Sequence, residues 1–407
     1  MAVGSGLSVA CNYYVQPLLP RLSDEFDASS SVVGLLVTVS QLGYVVGLAL
    51  VVPLGDRVER RGLVTLICGL TAGGLLVIAA APSLAVLFPA VALVGVTSVA
   101  AQVYVALAAD MARPDQRGRA VGTVMAGLLI GVLLARTLAG LVAAASGWRA
   151  VYVVAGLLMV ALAAMSRRAL PRVPPSVHAS YRELLGSILV LYREEPVLRR
   201  RGIYGALGFA SFSTLWTSAA FMLDDAYGYG EATIGLFALL GVAGAVAAQF
   251  AGRIADAGWA RVSTLGFFLA LAASWAILFP AESSLPALVV GIVVLDFAVQ
   301  GAHISNQSEV YRLRSDARSR LTTAYMCVNF MGGVVGSASS AVVYARGGWT
   351  AVCVVGGVFS ALALVGWGTE ARWPLRRMRH PAPVSAPRVM SPDGEDGVGS
   401  RVGPEAT

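Results

Sequence analysis

Hydrophobic residues run through this chain in long blocks separated by short polar breaks. Twelve blocks can be read, at about 2–20, 32–54, 63–81, 84–109, 120–146, 149–166, 203–222, 233–251, 262–280, 285–308, 320–345 and 349–368. A helix needs roughly 20 apolar residues to cross a hydrocarbon core about 30 Å thick. The blocks therefore predict membrane-spanning helices. The first follows Met1 almost directly, with no basic leader and no clear small-residue cleavage site. It reads as a retained helix rather than a removed signal peptide.

The polar breaks carry the organisation. The most concentrated is Pro53-Leu54-Gly55-Asp56-Arg57-Val58-Glu59-Arg60-Arg61-Gly62. The longest lies at about 166–202. Pro171, Pro174 and Pro175 begin it and Arg199, Arg200 and Arg201 close it, while Tyr181, Leu184, Leu185, Ile188, Leu191 and Tyr192 recur at helical spacing between them. That segment is too short and too charged to span, and it predicts an amphipathic helix at the membrane surface. It splits the chain into an N-terminal six-helix bundle over 1–168, a cytoplasmic linker over 169–202 and a C-terminal six-helix bundle over 203–370. The remainder, 371–407, is rich in Pro, Gly, Ser and charge and predicts a disordered cytoplasmic tail. The halves also repeat. Gly252-Arg253-Ile254-Ala255-Asp256 follows the second block of the second half, as the Asp56 loop follows the second block of the first.

Charge orients these segments. All 30 basic side chains are arginine. With the N-terminus inside, only Arg21, Arg149 and Arg346 fall in outer loops and only Arg136 within a helix; every other arginine is cytoplasmic. Arginine is costly in hydrocarbon and collects in cytoplasmic loops. The outer loops carry acid instead: Asp24, Glu25, Asp27, Asp224, Asp225 and Glu231. The expectation is a multi-pass protein of the cell membrane with both termini cytoplasmic, acting as a monomer.

Composition closes off other classes. The chain is 57% hydrophobic and 13% charged, with a mean hydropathy of +0.73, whereas soluble domains carry about 25% charged residues. The net charge of +7 is spread over short loops rather than one face, which argues against nucleic acid as a partner. Cys11, Cys68, Cys327 and Cys353 lie inside apolar blocks, and His178, His303 and His380 are far apart, so no metal site is expected. With no phosphate-binding Gly-Lys-Ser/Thr loop and no Ser/His/Asp arrangement, the chain reads as a non-enzyme without a cofactor.

The loop after the second block resembles the signature of the major facilitator superfamily, Gly-x-Leu-Ala-Asp-Arg-x-Gly-Arg-Arg. Leu54, Asp56, Arg57, Arg60 and Arg61 match; Val52, Gly55 and Glu59 replace the first Gly, the Ala and the second Gly. A second signature, typical of drug/proton antiporters, is partly present on the fifth block. Gly118, Gly127 and Gly131 keep its spacing, Val132 replaces its Pro, and Ala135-Arg136 replace its closing Gly pair. The resemblance covers about residues 1–370. It implies an all-α polytopic fold, twelve transmembrane helices in two pseudo-symmetric six-helix bundles, and alternating access to a midplane site. It also implies that Asp56, Arg57, Arg60 and Arg61, with Asp256 in the second half, act as a conformational latch. The alternative is that these arginines only anchor topology.

Several residues are candidates for the transport site. Asp296 is the only acid deep within a predicted helix. Desolvation disfavours a carboxylate's charged form, so Asp296 is a candidate to load and release protons, or else a structural pair. His303, seven residues on, shares its face and could share a proton path. Arg136, deep in the fifth block, needs a partner or water. It is a ligand for an anionic substrate group or a structural pair. Asn12, Tyr13, Tyr14 and Gln16 on the first block, Gln102 and Tyr104 on the fourth, Trp216 on the seventh and Asn329 on the eleventh are candidates for the substrate lining, or for hydrogen bonds between helices. Gly127, Gly131, Gly332, Gly333 and Gly336 read as helix-packing positions. The favoured function is secondary transport of a small organic solute or drug across the bilayer, by proton-coupled efflux. Proton-coupled uptake of a small metabolite and a transport-inactive sensor or scaffold are the alternatives.

Overall fold

The computed structural model describes residues 1–55, 57–113, 116–172, 180–314 and 318–372, except the side chains at 117, 255, 256, 260, 261, 318, 319 and 370–372. Among these residues the chain is built from helices and turns, with no strand. Its membrane helices are α1, broken between Ala2–Ala10 and Leu19–Glu25, α2 (Ser30–Leu54), α3 (Arg60–Ala79), α4 (Leu84–Met111), α5 (Gly118–Ser146) and α6 (Trp148–Ala169). The second half contributes α7 (Pro196–Tyr227), α8 (Glu231–Ile254), α9 (Val262–Glu282), α10 (Leu285–Tyr311), α11 (318–346) and α12 (349–368). Ten stretches are individually long and apolar enough to span. The longest of them is α11 and α12 run together, and α1 falls short because it is broken, which reconciles ten stretches with twelve helices. Gly348, at φ 58°, makes the corner between α11 and α12.

The break in α1 departs from the single helix that the apolar block predicts. Pro17 and Pro20 have no N–H to donate, so the helical ladder fails at 13–16. The chain crosses the gap with i to i−3 bonds, Asn12 N to Val9 O at 3.1 Å and Tyr13 N to Ala10 O at 2.9 Å, followed by a 3-10 turn at Gln16–Leu18. An interrupted membrane helix is tolerated only where its backbone is buried in protein or lines a cavity. Tyr13 and Gln16 are held at this interruption.

Small residues bring the helices together in the same way in each half. Gly127 and Gly131 of α5 lie against the backbone of Ala2 and Gly6 in α1; a Cβ at either glycine would collide with it. Gly332 and Gly336 of α11 lie equally close to the backbone of Ala206 and Ala210 in α7. Since α7 and α11 stand where α1 and α5 stand in the first half, the repeat seen in the loops extends to the helix crossings. Gly333 meets the Gln41 amide and the Phe209 ring instead. Outward-facing positions such as Leu66, Leu157, Val160, Leu362 and Val365 are exposed and apolar, as lipid contact requires.

The linker holds a helix at Tyr181–Glu194, started by a reciprocal capping box between Ser180 and Glu183. Tyr181 donates to the Leu50 carbonyl at 2.5 Å, and Leu191 packs in a cluster with Tyr44 and Leu48 of α2 and Leu321 and Tyr325 of α11. The linker helix thus bears on both halves. At the C-terminal end of α1, Arg149 donates to Glu25 at 2.7 Å.

Candidate functional site

The two halves enclose a cavity of about 230 Å³ whose wall includes Tyr13, Gln102, Arg136, Phe209, Asp296 and Asn329. Its base is a layered cluster. The Arg136 guanidinium carbon lies 4.4 Å from the Trp216 ring centroid, 4.8 Å from that of Tyr13 and 5.6 Å from that of Phe212. Trp216 donates its indole N–H to Asp296 Oδ1 at 3.2 Å. One indole therefore meets the cation of α5 over its face and the acid of α10 at its edge, and no carboxylate among the described residues is within ion-pair distance of Arg136. Arg136 Nε donates to the Gln16 side-chain oxygen at the break in α1. Its Nη2, fully buried, has no hydrogen-bond partner among the described residues.

The other lining residues show which way the cavity faces. Met125 to Leu133 lie towards the arginine-rich start of α5, Tyr204 to Phe212 towards that of α7, and Val299 to Asn306 towards the arginine-rich end of α10. The cavity therefore occupies the arginine-rich side of the Arg136–Trp216–Asp296 layer. On the other side the halves are shut. Thr38 of α2 hydrogen-bonds Ser337 of α11 at 2.9 Å, and Gln41 donates to Ser213 of α7 at 3.2 Å. Thr137 of α5 donates to the Gly235 carbonyl of α8 at 2.9 Å. A Cβ on Gly34 would sit 2.8 Å from the Ala341 Cβ.

A second polar cluster flanks the cavity nearer the arginine-rich end. His303 Nδ1 pairs with the Tyr325 hydroxyl at 3.1 Å, and Asn329 lines the cavity beside them. Asn306 accepts from Arg201 Nη1 at 3.2 Å. Gly205 passes so close that a Cβ there would lie 2.8 Å from both Asn329 Oδ1 and the Tyr325 hydroxyl. His303 and Asp296 both line the cavity, but the imidazole is committed to α11 rather than to the acid.

The predicted site residues separate into three sets. Tyr13, Gln102, Arg136, Asp296, His303 and Asn329 border the cavity, with Gln102 donating to the Tyr44 hydroxyl at 3.3 Å. Gln16 and Trp216 hold its base from beneath. Three others turn away from it. Asn12 accepts from Ser40 at 2.7 Å, Tyr104 pairs with Ser166 at 2.6 Å, and Tyr14 is buried in the core of the first half. Each lies one helical position or so from a lining residue, and block boundaries alone do not resolve the facing of a helix to that precision. The aromatic wall of Tyr44, Phe209, Phe212 and Phe330 was not among the predicted residues. In sequence these rings are ordinary members of apolar blocks; only the packing distinguishes them.

Of the predicted latch, Asp56 and the Asp256 side chain lie outside the described residues. Arg57 is exposed. Arg61 lies 3.8 Å from Glu59, which also caps the start of α3 through the N–H groups of Arg61 and Gly62. Arg60 is buried, donates to the Gly55 carbonyl at 2.9 Å and pairs with Asp110 at the end of α4. Arg60→Gln is therefore expected to cost about 1–2 kcal/mol and to lower the apparent melting temperature in detergent. Arg57→Gln should leave it unchanged. Equal melting temperatures for the two variants would refute the structural role of Arg60.

Comparison with known proteins agrees with this architecture. The family model described as Major Facilitator Superfamily matches residues 1–311. The uncharacterized transporter YgaY of Escherichia coli O157:H7 is 46% identical over 368 residues, 90% of this chain and 93% of that protein. A probable transporter of Streptomyces coelicolor is 35% identical over 379 residues, covering 92% of this chain and 87% of that protein. Among solved structures, a bacterial homologue of the human lysosomal transporter Spinster, in an inward-facing and unoccupied conformation, superposes with a TM-score of 0.73 at 14% identity. That match covers 91% of this chain and 96% of the homologue.

Proposed function

Since the chain belongs to the Major Facilitator Superfamily and is a multi-pass membrane transporter of that family, we propose that it moves a small organic solute by alternating access, driven by a proton gradient. The observation that carries this reading is the base of the cavity. Asp296, an acid able to change charge, stands in the wall beside the solute space, hydrogen-bonded to Trp216 of its own half, whose ring meets Arg136 of the other half. Rocking of the halves about this layer would break the contacts Thr38–Ser337, Gln41–Ser213 and Thr137–Gly235 and form others at the arginine-rich end. A carboxyl group there would meet each side of the membrane in turn. The arginine distribution supports an inside position for that end and for both termini, in the cell membrane, and the protein acts as a monomer.

Efflux of an organic solute or drug is supported by the loop after α2 and by the glycine spacing of α5. A second reading, uptake together with a proton, is favoured by one specific observation: Arg136 and Asp296 place opposite charges in one wall. A proton on Asp296 would leave that wall net positive and readier to take an anion, so proton and solute would travel together. The purified protein in liposomes, given a panel of labelled organic acids, neutral metabolites and organic cations under an imposed pH gradient, separates these readings. The expected result is solute movement driven by the pH gradient and unaffected by a sodium gradient. Movement against the proton flow means efflux; movement with it means uptake. Failure of every solute to move under either gradient would instead favour a sensor or scaffold.

A further inference from the structure

We propose that Arg136 is the anchor for the carboxylate of an amphipathic organic acid, whose apolar body fills the aromatic part of the cavity. This names the substrate class for the transport reading above and rests on it. The first argument is the guanidinium's state. Arg136 is 4% exposed, its buried Nη2 has no partner among the described residues, and the residue lines the cavity. A buried cation with an unmade hydrogen bond is costly, and the usual remedy is an ion pair. No described carboxylate supplies one. Asp296 is not within ion-pair distance and already accepts the N–H of the Trp216 indole that the guanidinium overlies.

The second argument is shape. Rings of Tyr13, Phe212 and Trp216 cover the guanidinium, and Nε is held by Gln16. The rings and the glutamine fix a planar fork of N–H donors and leave its remaining edge for a planar acceptor, the geometry that a carboxylate fits. The third argument is the rest of the wall. Phe209, Phe212, Phe330, Leu129 and Leu133 give it a mainly apolar, aromatic surface, which suits a flat hydrocarbon body better than a sugar or a zwitterion. An organic cation is a poorer occupant. The acid it would seek stands beside Arg136, whose charge repels it.

The test is equilibrium binding to the purified wild-type protein in detergent, with no gradient present. The probes are 2-naphthoate, the isosteric 2-naphthamide and 2-naphthylmethylammonium. The naphthoate should bind roughly 10- to 100-fold more tightly than the amide, the range expected for one hydrogen-bonded charge pair, and the ammonium probe most weakly. Arg136→Gln should reduce the carboxylate-to-amide ratio to near one while the amide still binds. Arg136→Lys keeps the charge without the fork and should give an intermediate ratio; it decides the matter if the glutamine variant does not fold. A wild-type ratio near one, a preference for the ammonium probe, or a wild-type ratio in both variants would overturn the proposal. Because binding is read without a gradient, a protein that prefers naphthoate but ignores a pH gradient fails only the transport reading. One that moves a solute under a pH gradient but binds naphthoate and naphthamide equally fails only this one.

Discussion

Asp296→Asn is expected to abolish proton-driven transport while sparing the cavity. In proteoliposomes, movement under a pH gradient should fall by at least about 100-fold, the low end of what a positioned proton-transferring group supplies. Gradient-free exchange and probe binding should stay within a few-fold of wild type. The substitution is chosen for what it preserves. Asparagine has nearly the same volume, and its side-chain carbonyl can still accept the Trp216 N–H that Asp296 Oδ1 receives at 3.2 Å. The close approach of Gly241, where a Cβ would lie 3.0 Å from Asp296 Oδ2, is unaltered as well. Only the ability to gain and lose a proton disappears. His303→Gln should have a smaller effect on coupling, because its imidazole is tied to Tyr325 rather than to Asp296. Unchanged pH-dependent transport in Asp296→Asn would remove this residue from the coupling mechanism.

What the sequence could and could not reveal follows from the physics of each level. Membrane spans are specified by local composition over about 20 residues, so the twelve helices and the corner at Gly347 and Gly348 were legible. Arg136 and Asp296 were legible for the same reason: a charge inside an apolar block is conspicuous without any knowledge of packing. The break in α1 was partly legible. Pro17 and Pro20 signal it, but the surrounding apolar run conceals it. Facing was not legible. Residues on one membrane helix are apolar towards lipid and apolar towards protein, so hydrophobicity cannot say that Tyr13 looks into the cavity and Tyr14 into the core. Nor could it show that Trp216 joins Arg136 to Asp296, since that layer assembles three helices from both halves.

The second large effect concerns the shut end rather than the site. Gly140 of α5 touches the Glu231 backbone and comes within 3.1 Å, measured from a built Cβ, of the Gly235 Cα in α8. Beside it Thr137 donates to the Gly235 carbonyl at 2.9 Å. The halves can close here only because two glycines face each other without side chains. Gly140→Leu inserts four carbons into that seam. Overpacking of this kind costs about 1–3 kcal/mol, and in the proposed cycle the closed state would bear the whole cost, because the opposite state would separate α5 from α8 at this point. A cost of that size shifts the balance between the two states by roughly 5- to 150-fold. Spin labels at positions 29 and 346, near the ends of α2 and α11, should report a short distance in wild type and a predominantly long one in Gly140→Leu, with turnover reduced by a similar factor. Gly122→Leu, on the same helix where a Cβ meets nothing within 4 Å, is the matched control and should behave as wild type. A Gly140→Leu protein with the wild-type distance distribution would mean that this seam does not separate during the transport cycle, and the hinge would have to be sought elsewhere.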